Sequence, residues 1–411
     1  MPGSFGRAPV RTILLWAAIP AMAAMAYWPL RLAWADHLSS ASDAETVARA
    51  VALSPGDADF RLKLAAAQQA AGADTTAALE AAAALDPGNA GTWIRLGVAA
   101  EMRGDPRAAE HNLLRAAQAS RQFAPRWALA NYYFRRGDAA HFWLWARESL
   151  LIGSGDLNPV FQLCWHVSQD PNLIFERAIP PRPAVLNAYV LYLLQEGRLA
   201  ASEPAAVKLA ALSTTEEQST LVAWCDRQLD AGSVPAALEV WNTLCARHLL
   251  PYAPLDRDRA PLTDGGFAAA SVGGGFAWRL VPGPRVSIGR NPSPPYLWVD
   301  FDGHQPEECA PLSQFVPVTP GASYRLRFEY HTSELPPASG LRWSVFDART
   351  GIDLEAASPC LSSPDWKRAE LTFTAPAAGL VRLALTCRRL PGATRIEGSL
   401  GLRRLSLERQ P

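Results

Sequence analysis

The sequence predicts a multidomain chain, α then β: an N-terminal transmembrane helix, an α-helical solenoid and a C-terminal antiparallel β-sandwich. Three observations carry this. Residues 12–30, TILLWAAIPAMAAMAYWPL, form an uncharged apolar run behind Arg7 and Arg11. Large and small apolar residues then recur at helical spacing between Gly turns. From residue 251 that periodicity stops, and short period-two alternations take over. The expected organisation is residues 1–35 as the membrane segment, 41–250 as the solenoid, 251–261 as a linker and 262–411 as the sandwich.

The apolar run is just long enough for a bilayer core, which needs about 20 residues. Trp16, Tyr27 and Trp28 near its ends suit the two interfaces. Its basic flank predicts a cytoplasmic N-terminus, and so an inner-membrane, single-pass chain with its bulk periplasmic or otherwise extracytoplasmic. A cleaved signal peptide is the alternative, with Ala33-Trp34-Ala35 as a cleavage site. Arg31 and the bulky Tyr27-Trp28 pair lie between the run and that site, which favours an uncleaved anchor.

The solenoid is clearest over residues 89–117, NAGTWIRLGVAAEMRGDPRAAEHNLLRAA. Trp93, Leu96, Gly97 and Ala100 lie on one helix, Gly104 makes the turn, and Ala108, Ala109, Leu113 and Ala116 follow on a second. Trp127 lies 34 residues after Trp93. The pattern resembles the tetratricopeptide repeat, with its large residue at Trp93, its Leu-Gly pair at Leu96 and Gly97, and its small second-helix residue at Ala109. Phe60 takes the place of Trp93 in a preceding unit. Leu53-Ser-Pro-Gly-Asp and Leu85-Asp-Pro-Gly-Asn each close one helix pair and open the next, because Pro cannot continue a helix interior. The repeat fades around Phe142, Trp143 and Trp145. Helices are still expected over 160–168, 183–195, 203–212, 215–229 and 234–247. Trp165, Trp224 and Trp241 read there as core residues, with a groove for a partner peptide as the rival.

Strands are expected over 277–281, 296–301, 312–318, 324–331, 341–347, 368–374, 381–388 and 396–407, and a phase shift between Leu402 and Leu405 predicts a bulge. Eight or so short antiparallel strands predict a sandwich of jelly-roll type. Asp264-Gly-Gly-Phe267, Gly275-Phe-Ala-Trp278, Phe315-Val-Pro-Val-Thr-Pro-Gly321, and Trp366 leading to Phe373-Thr-Ala-Pro resemble jelly-roll carbohydrate-binding modules with a galactose-binding-like sandwich. Many such modules hold a structural calcium with an acid after Gly-Gly-Phe and an acidic pair in the last strand. Ala268 and Arg403-Arg404 stand at those places, so no calcium is expected.

Tyr296, Trp298, Asp300 and Asp302 share one face of a strand, with Leu297, Val299 and Phe301 on the other. Rings beside carboxylates suit a sugar, whose C–H groups stack and whose hydroxyls take hydrogen bonds. The alternative is a Trp298 packed under a loop beside solvated aspartates. Asp300, Asp302 and His304 have no distant partner to complete a metal site. Arg325, Arg327, Arg382 and Arg388 could line one face for an anionic ligand, or form a solvated face paired with Glu329 and Glu370. There is no CxxC. Outside the cytoplasm Cys309 and Cys360, both in loops near strand ends, could bridge. Cys387 reads as a buried thiol, while Cys225 and Cys245 either pack or bridge.

Thirty-nine basic residues balance 39 acidic ones, which excludes general electrostatic attraction to nucleic acid. With no recognisable catalytic centre, metal or cofactor motif, the expected protein is a non-catalytic envelope scaffold. Its solenoid would take a protein partner, and its sandwich a polysaccharide or nothing. The domain pairing suits assembly or export of surface polysaccharide. A purely structural module is the main alternative and a glycan-active enzyme the third.

Overall fold

The computed structural model describes residues 8–411 apart from 260, 282, 284, 338 and 390–394, with side chains of the first helix described at Met22 and from Met25 onward. The chain divides into two compact units, Met1–Ala178 and Ile179–Pro411. The helices over 183–246, assigned to the solenoid from sequence, thus share a unit with the sandwich.

The first unit holds α1 (Ala8–Ser39), α2 (Ala44–Leu53), α3 (Ala58–Ala70), α4 (Thr76–Leu85), α5 (Ala90–Met102), α6 (Pro106–Ala119), α7 (Phe123–Arg136), α8 (Ala139–Ile152), α9 (Asn158–Val167) and α10 (Pro171–Ala178). Short polar side chains start these helices by satisfying free backbone N–H groups. Asn89 accepts from Thr92 N at 3.2 Å, Asp105 from Ala108 N at 3.0 Å and Asp138 from His141 N at 3.1 Å. Gly104 and Gly137 adopt φ of 78° and 70° between paired helices, which costs glycine nothing sterically.

The Leu-Gly pair has a packing reason. Leu96 and Ala109 are buried, and a Cβ on Gly97 would lie 2.7 Å from Leu113 Cγ. Only a bare Cα lets α5 approach α6 so closely. Phe60 is buried; Trp93 and Trp127 are half-buried. Trp93 donates Nε1–H to the Pro87 carbonyl at 2.9 Å, so the repeat's large residue also ties down the Pro-Gly turn before it. Arg135 on α7 clasps Glu101 on α5 through Nε–Oε1 at 2.8 Å and Nη2–Oε2 at 2.6 Å.

Among the described residues no helix is long and apolar enough to cross a membrane. Most side chains of the 12–30 run lie outside the described residues.

The second unit opens with α11 (Pro183–Gln195), α12 (Glu203–Leu212), α13 (Gln218–Asp230) and α14 (Val234–Ala246). Two five-stranded antiparallel sheets follow. Their strands are β1 (Arg279–Leu280), β2 (Val286–Pro292), β3 (Pro295–Asp302), β4 (Glu308–Pro317), β5 (Ser323–Ser333), β6 (Leu341–Asp347), β7 (Asp353–Ala357), β8 (Lys367–Thr374), β9 (Leu380–Arg388) and β10 (Glu397–Arg409). One sheet runs β1-β4-β9-β6-β7 and the other β2-β3-β10-β5-β8. Their inner faces share one core that includes Trp278, Val299, Phe328, Trp343, Leu385 and Leu400. The bulge falls where β10 shifts register against β5, between Arg403 and Ser406.

The helices of this unit pack on the sandwich. Asp226 Oδ1 on α13 accepts from Gly275 N at 2.7 Å and from the Arg279 guanidinium. Arg279 also lies over the Phe315 ring at 4.3 Å. Trp241 on α14 stacks on Tyr252 at 5.8 Å and meets Phe276 edge-on at 5.7 Å.

Cysteine placement argues against the possible Cys309–Cys360 bridge. Cys309 on β4 faces Cys387 on β9. The Cys360 segment runs along β6, with Leu361 N bonded to the Leu341 carbonyl at 2.8 Å. Cys360 is therefore three strand spacings from β4, roughly 14 Å, beyond the ~7 Å between Cα atoms that a disulfide spans. Cys225 and Cys245 are buried free thiols on adjacent helices. Burial pushes Cys245 up to about 12, so it stays protonated.

Candidate binding face

The outer face of the β2-β3-β10-β5-β8 sheet is the candidate site. Strand alternation sends Leu297, Val299 and Phe301 into the core, each at most 3% exposed. Tyr296, Trp298, Asp300 and Asp302 therefore share the outer face. In an antiparallel ladder directly opposite residues point the same way, so the register builds rows across the strands. Gly289, Trp298, Gly401 and His331 lie in line on β2, β3, β10 and β5. Trp366, just before β8, completes the row beside His331, with ring centroids 4.5 Å apart.

The two glycines are the floor of this row. A Cβ on Gly289 would sit 2.2 Å from Trp298 Cζ2, so the indole lies across bare backbone. A Cβ on Gly401 would sit 2.3 Å from His331 Nε2 and 3.3 Å from Trp366 Cη2. Tyr296 meets Trp366 edge-on at 5.8 Å and His331 at 6.2 Å. Trp366 keeps 36% of its surface exposed, despite being among the largest apolar side chains. The result is an aromatic platform seated on bare backbone, with Tyr296, Trp298 and His331 half-buried and Trp366 exposed.

One flank is basic. Arg403 Cζ stands 3.9 Å from the centroid of Trp366, and its Nε donates to Glu329 Oε2 at 2.8 Å. Arg368 Nε donates to Glu329 Oε1 at 3.0 Å and Arg404 Nη1 to the same oxygen at 3.2 Å. Consecutive strand residues normally face opposite ways. The bulge, with Arg404 at φ 52°, lets Arg403 and Arg404 reach one carboxylate. Glu329 is buried, which would raise its pKa, but hydrogen bonds from Arg368, Arg403 and Arg404 bring it down to about 2. Burial and then the Arg403 charge push His331 below its ordinary value. It is neutral at pH 7, with one donor and one acceptor.

The depressed Glu329 fixes the sign of an acid effect. Its stabilisation is complete above the ordinary carboxylate value of 4.5, and is lost as pH falls from there through about 2. Thermal melts over that range should show an acid limb that Glu329→Gln flattens; an unchanged limb would remove Glu329 as its source.

The opposite flank carries Asp300, exposed, and Asp302, which accepts from His304 N at 3.0 Å in the turn after β3. Among the described residues no three His, Cys, Asp or Glu are placed to hold a metal. Asp264 accepts from Ala268 N at 2.8 Å and Ala269 N at 3.0 Å, closing its own turn. The four arginines proposed as one face are divided: Arg325 and Arg327 lie on β5, Arg382 and Arg388 on β9 of the other sheet. Arg327 pairs with Glu408 at 3.0 Å and Arg388 with Glu308 at 3.0 Å.

Alternation along β3 marks its own outward residues but gives no sign that His331, Trp366, Arg403 and the two glycines belong to this face. His331 does fall in the outward phase of β5, and Gly401 in that of β10. Only the inter-strand register, which no single strand encodes, puts them in one row with Trp298.

No family model matches the chain, and no curated protein matches it. Among solved structures, TmCBM61 in complex with β-1,4-galactotriose is 19% identical, over 37% of this chain and 100% of that one, with a TM-score of 0.27. A CBM4 structure is 13% identical, over 33% and 88%, with a TM-score of 0.25. The pilF protein of Pseudomonas aeruginosa is 15% identical, over 44% and 88%, with a TM-score of 0.26.

Proposed function

We propose that this chain is a non-catalytic, membrane-anchored envelope scaffold that binds glycan on the outer face of the β2-β3-β10-β5-β8 sheet and a protein partner on its helical repeats. The glycan reading rests on one observation, the row Gly289, Trp298, Gly401, His331 and Trp366. A sugar ring presents apolar C–H faces that stack on indoles, and an equatorial fringe of hydroxyls that need donors and acceptors. The row supplies the rings, and Asp300, Arg403, Tyr296 and neutral His331 supply the polar groups beside them. The likeness to TmCBM61, whose structure holds a galactotriose, agrees with this but does not carry it.

The repeats support a protein partner by their exposed apolar positions. Val98 and Met102 on α5 are 41% and 82% exposed beside Ile94, in a groove with Gly72, Ala73 and Leu79. Membrane anchoring is supported by the basic-then-apolar N-terminus and by exposed Met25, Tyr27, Trp28, Leu30 and Trp34 at the end of α1. A place in surface polysaccharide assembly or export fits a scaffold with both surfaces.

The test is titration of the full chain, in mild detergent, with neutral and acidic polysaccharides. Saturable binding is expected, weakened about tenfold or more by Trp298→Ala or Trp366→Ala. Unchanged affinity in both variants would move the site off this face. No binding to any polysaccharide would leave the sandwich with a structural role.

A further inference from the structure

Cys309 and Cys387 have no part in the binding face. They lie on β4 and β9 of the other sheet, directly opposite in antiparallel register. Opposed residues in such a ladder hold their Cα atoms about 4.5–5.5 Å apart, within the ~4.4–6.8 Å that a disulfide spans. The ladder is fixed just beyond them, where Arg389 N donates to the Glu307 carbonyl at 2.9 Å and Arg388 pairs with Glu308 at 3.0 Å. Both thiols are free. Cys387 is 4% exposed within the sandwich core, and Cys309 is half-buried at its margin. The pair thus offers one sulfur to an oxidant from solution and one protected sulfur beside it.

We infer that Cys309 and Cys387 are a thiol pair that closes to an intramolecular disulfide by exchange with a disulfide-bearing oxidant. The Cys309 thiolate attacks one sulfur of that oxidant; a mixed disulfide forms and one thiolate leaves. Cys387 then gives up its proton to solvent, and its sulfur attacks Sγ of Cys309, expelling the second thiolate. Two cysteine thiols are oxidised and one external disulfide is reduced to two thiols. The roles follow from position. Cys309 is the half-buried sulfur and Cys387 the one sealed in the core; the neighbouring Cys387 thiol lowers the Cys309 pKa, and Cys309 together with burial raises that of Cys387. Cys309 is therefore the sulfur that ionises first, and thiolate is the attacking form. Cys360 lies two strands beyond Cys387 and cannot take either role without unfolding the sheet edge.

The experiment uses the reduced full chain incubated with oxidised glutathione. The reaction is quenched with an alkylating reagent in denaturant, digested without reduction and read by mass spectrometry. The expected product is a peptide pair joined through Cys309 and Cys387, with Cys360 alkylated. In Cys387→Ser the exchange should stop at the first step and leave glutathione on Cys309. The inference is overturned if both cysteines of the wild-type chain are alkylated, if wild type retains glutathione on Cys309, or if Cys309 joins Cys360.

Discussion

Trp241→Ala is expected to destabilise the second unit by about 3–5 kcal/mol, the range for emptying a large buried aromatic site. Trp241 is fully buried and is shared between helix and sandwich. One ring face stacks on Tyr252 at 13° between planes, and Phe276 meets it edge-on. A Cβ on Gly275 would lie 2.5 Å from Trp241 Cζ3, so the backbone at φ 58° sits on the indole. Two of the lining groups are fastened: Gly275 N donates to the Asp226 carboxylate at 2.7 Å, and the Tyr252 hydroxyl donates to the Ala270 carbonyl at 3.0 Å. Collapse is therefore poor and the cost should fall at the upper end. Denaturant unfolding measures the loss, and hydrogen exchange over 234–280 localises it. A loss under about 1 kcal/mol would mean that the helices and sandwich of this unit are joined elsewhere.

Much of the fold is legible in the sequence where one periodicity acts alone. The helices over 183–195 and 203–212, and the strand over 341–347, fall where apolar spacing puts them. β2 and β7 lie outside the strands expected from alternation, and both are sheet edges. An edge strand is half-solvated and carries little apolar alternation. Val286–Pro292, VSIGRNP, holds a Gly, an Asn and a Pro, which signal a turn in isolation. α10 (Pro171–Ala178) gives no sequence signal because eight residues make too few turns for a period to show. The binding face was half legible. Alternation along β3 gives Tyr296 and Trp298 a common side, but His331, Trp366 and Arg403 join them only through pairing across β10 and β5. The cysteines repeat the lesson: Cys309 and Cys360 both suggest loops near strand ends, and only sheet order shows that Cys387 stands between them.

Gly265→Val is expected to cost about 3 kcal/mol or more, at the upper end for overpacking, and to disturb the binding face from behind. Gly265 belongs to the Asp-Gly-Gly-Phe turn. Its carbonyl accepts from Leu405 N at 2.8 Å, and a Cβ on it would lie 1.9 Å from the Leu405 carbonyl oxygen. The obstacle is main chain, so no rotamer change relieves it. Either the turn detaches or the bulge in β10 moves. The turn is itself fastened, by Asp264 to Ala268 N and Ala269 N and by Trp278 Nε1 to the Asp264 carbonyl at 3.1 Å. The bulge is the weaker partner. Moving it shifts Arg404 and Arg403, and with them the hold on Glu329 and the guanidinium over Trp366. A lower melting temperature should therefore accompany a reduced Glu329 acid limb and weaker polysaccharide binding. Destabilisation that left both of the latter unchanged would show that the turn yields instead, and that the bulge is positioned by β5 alone.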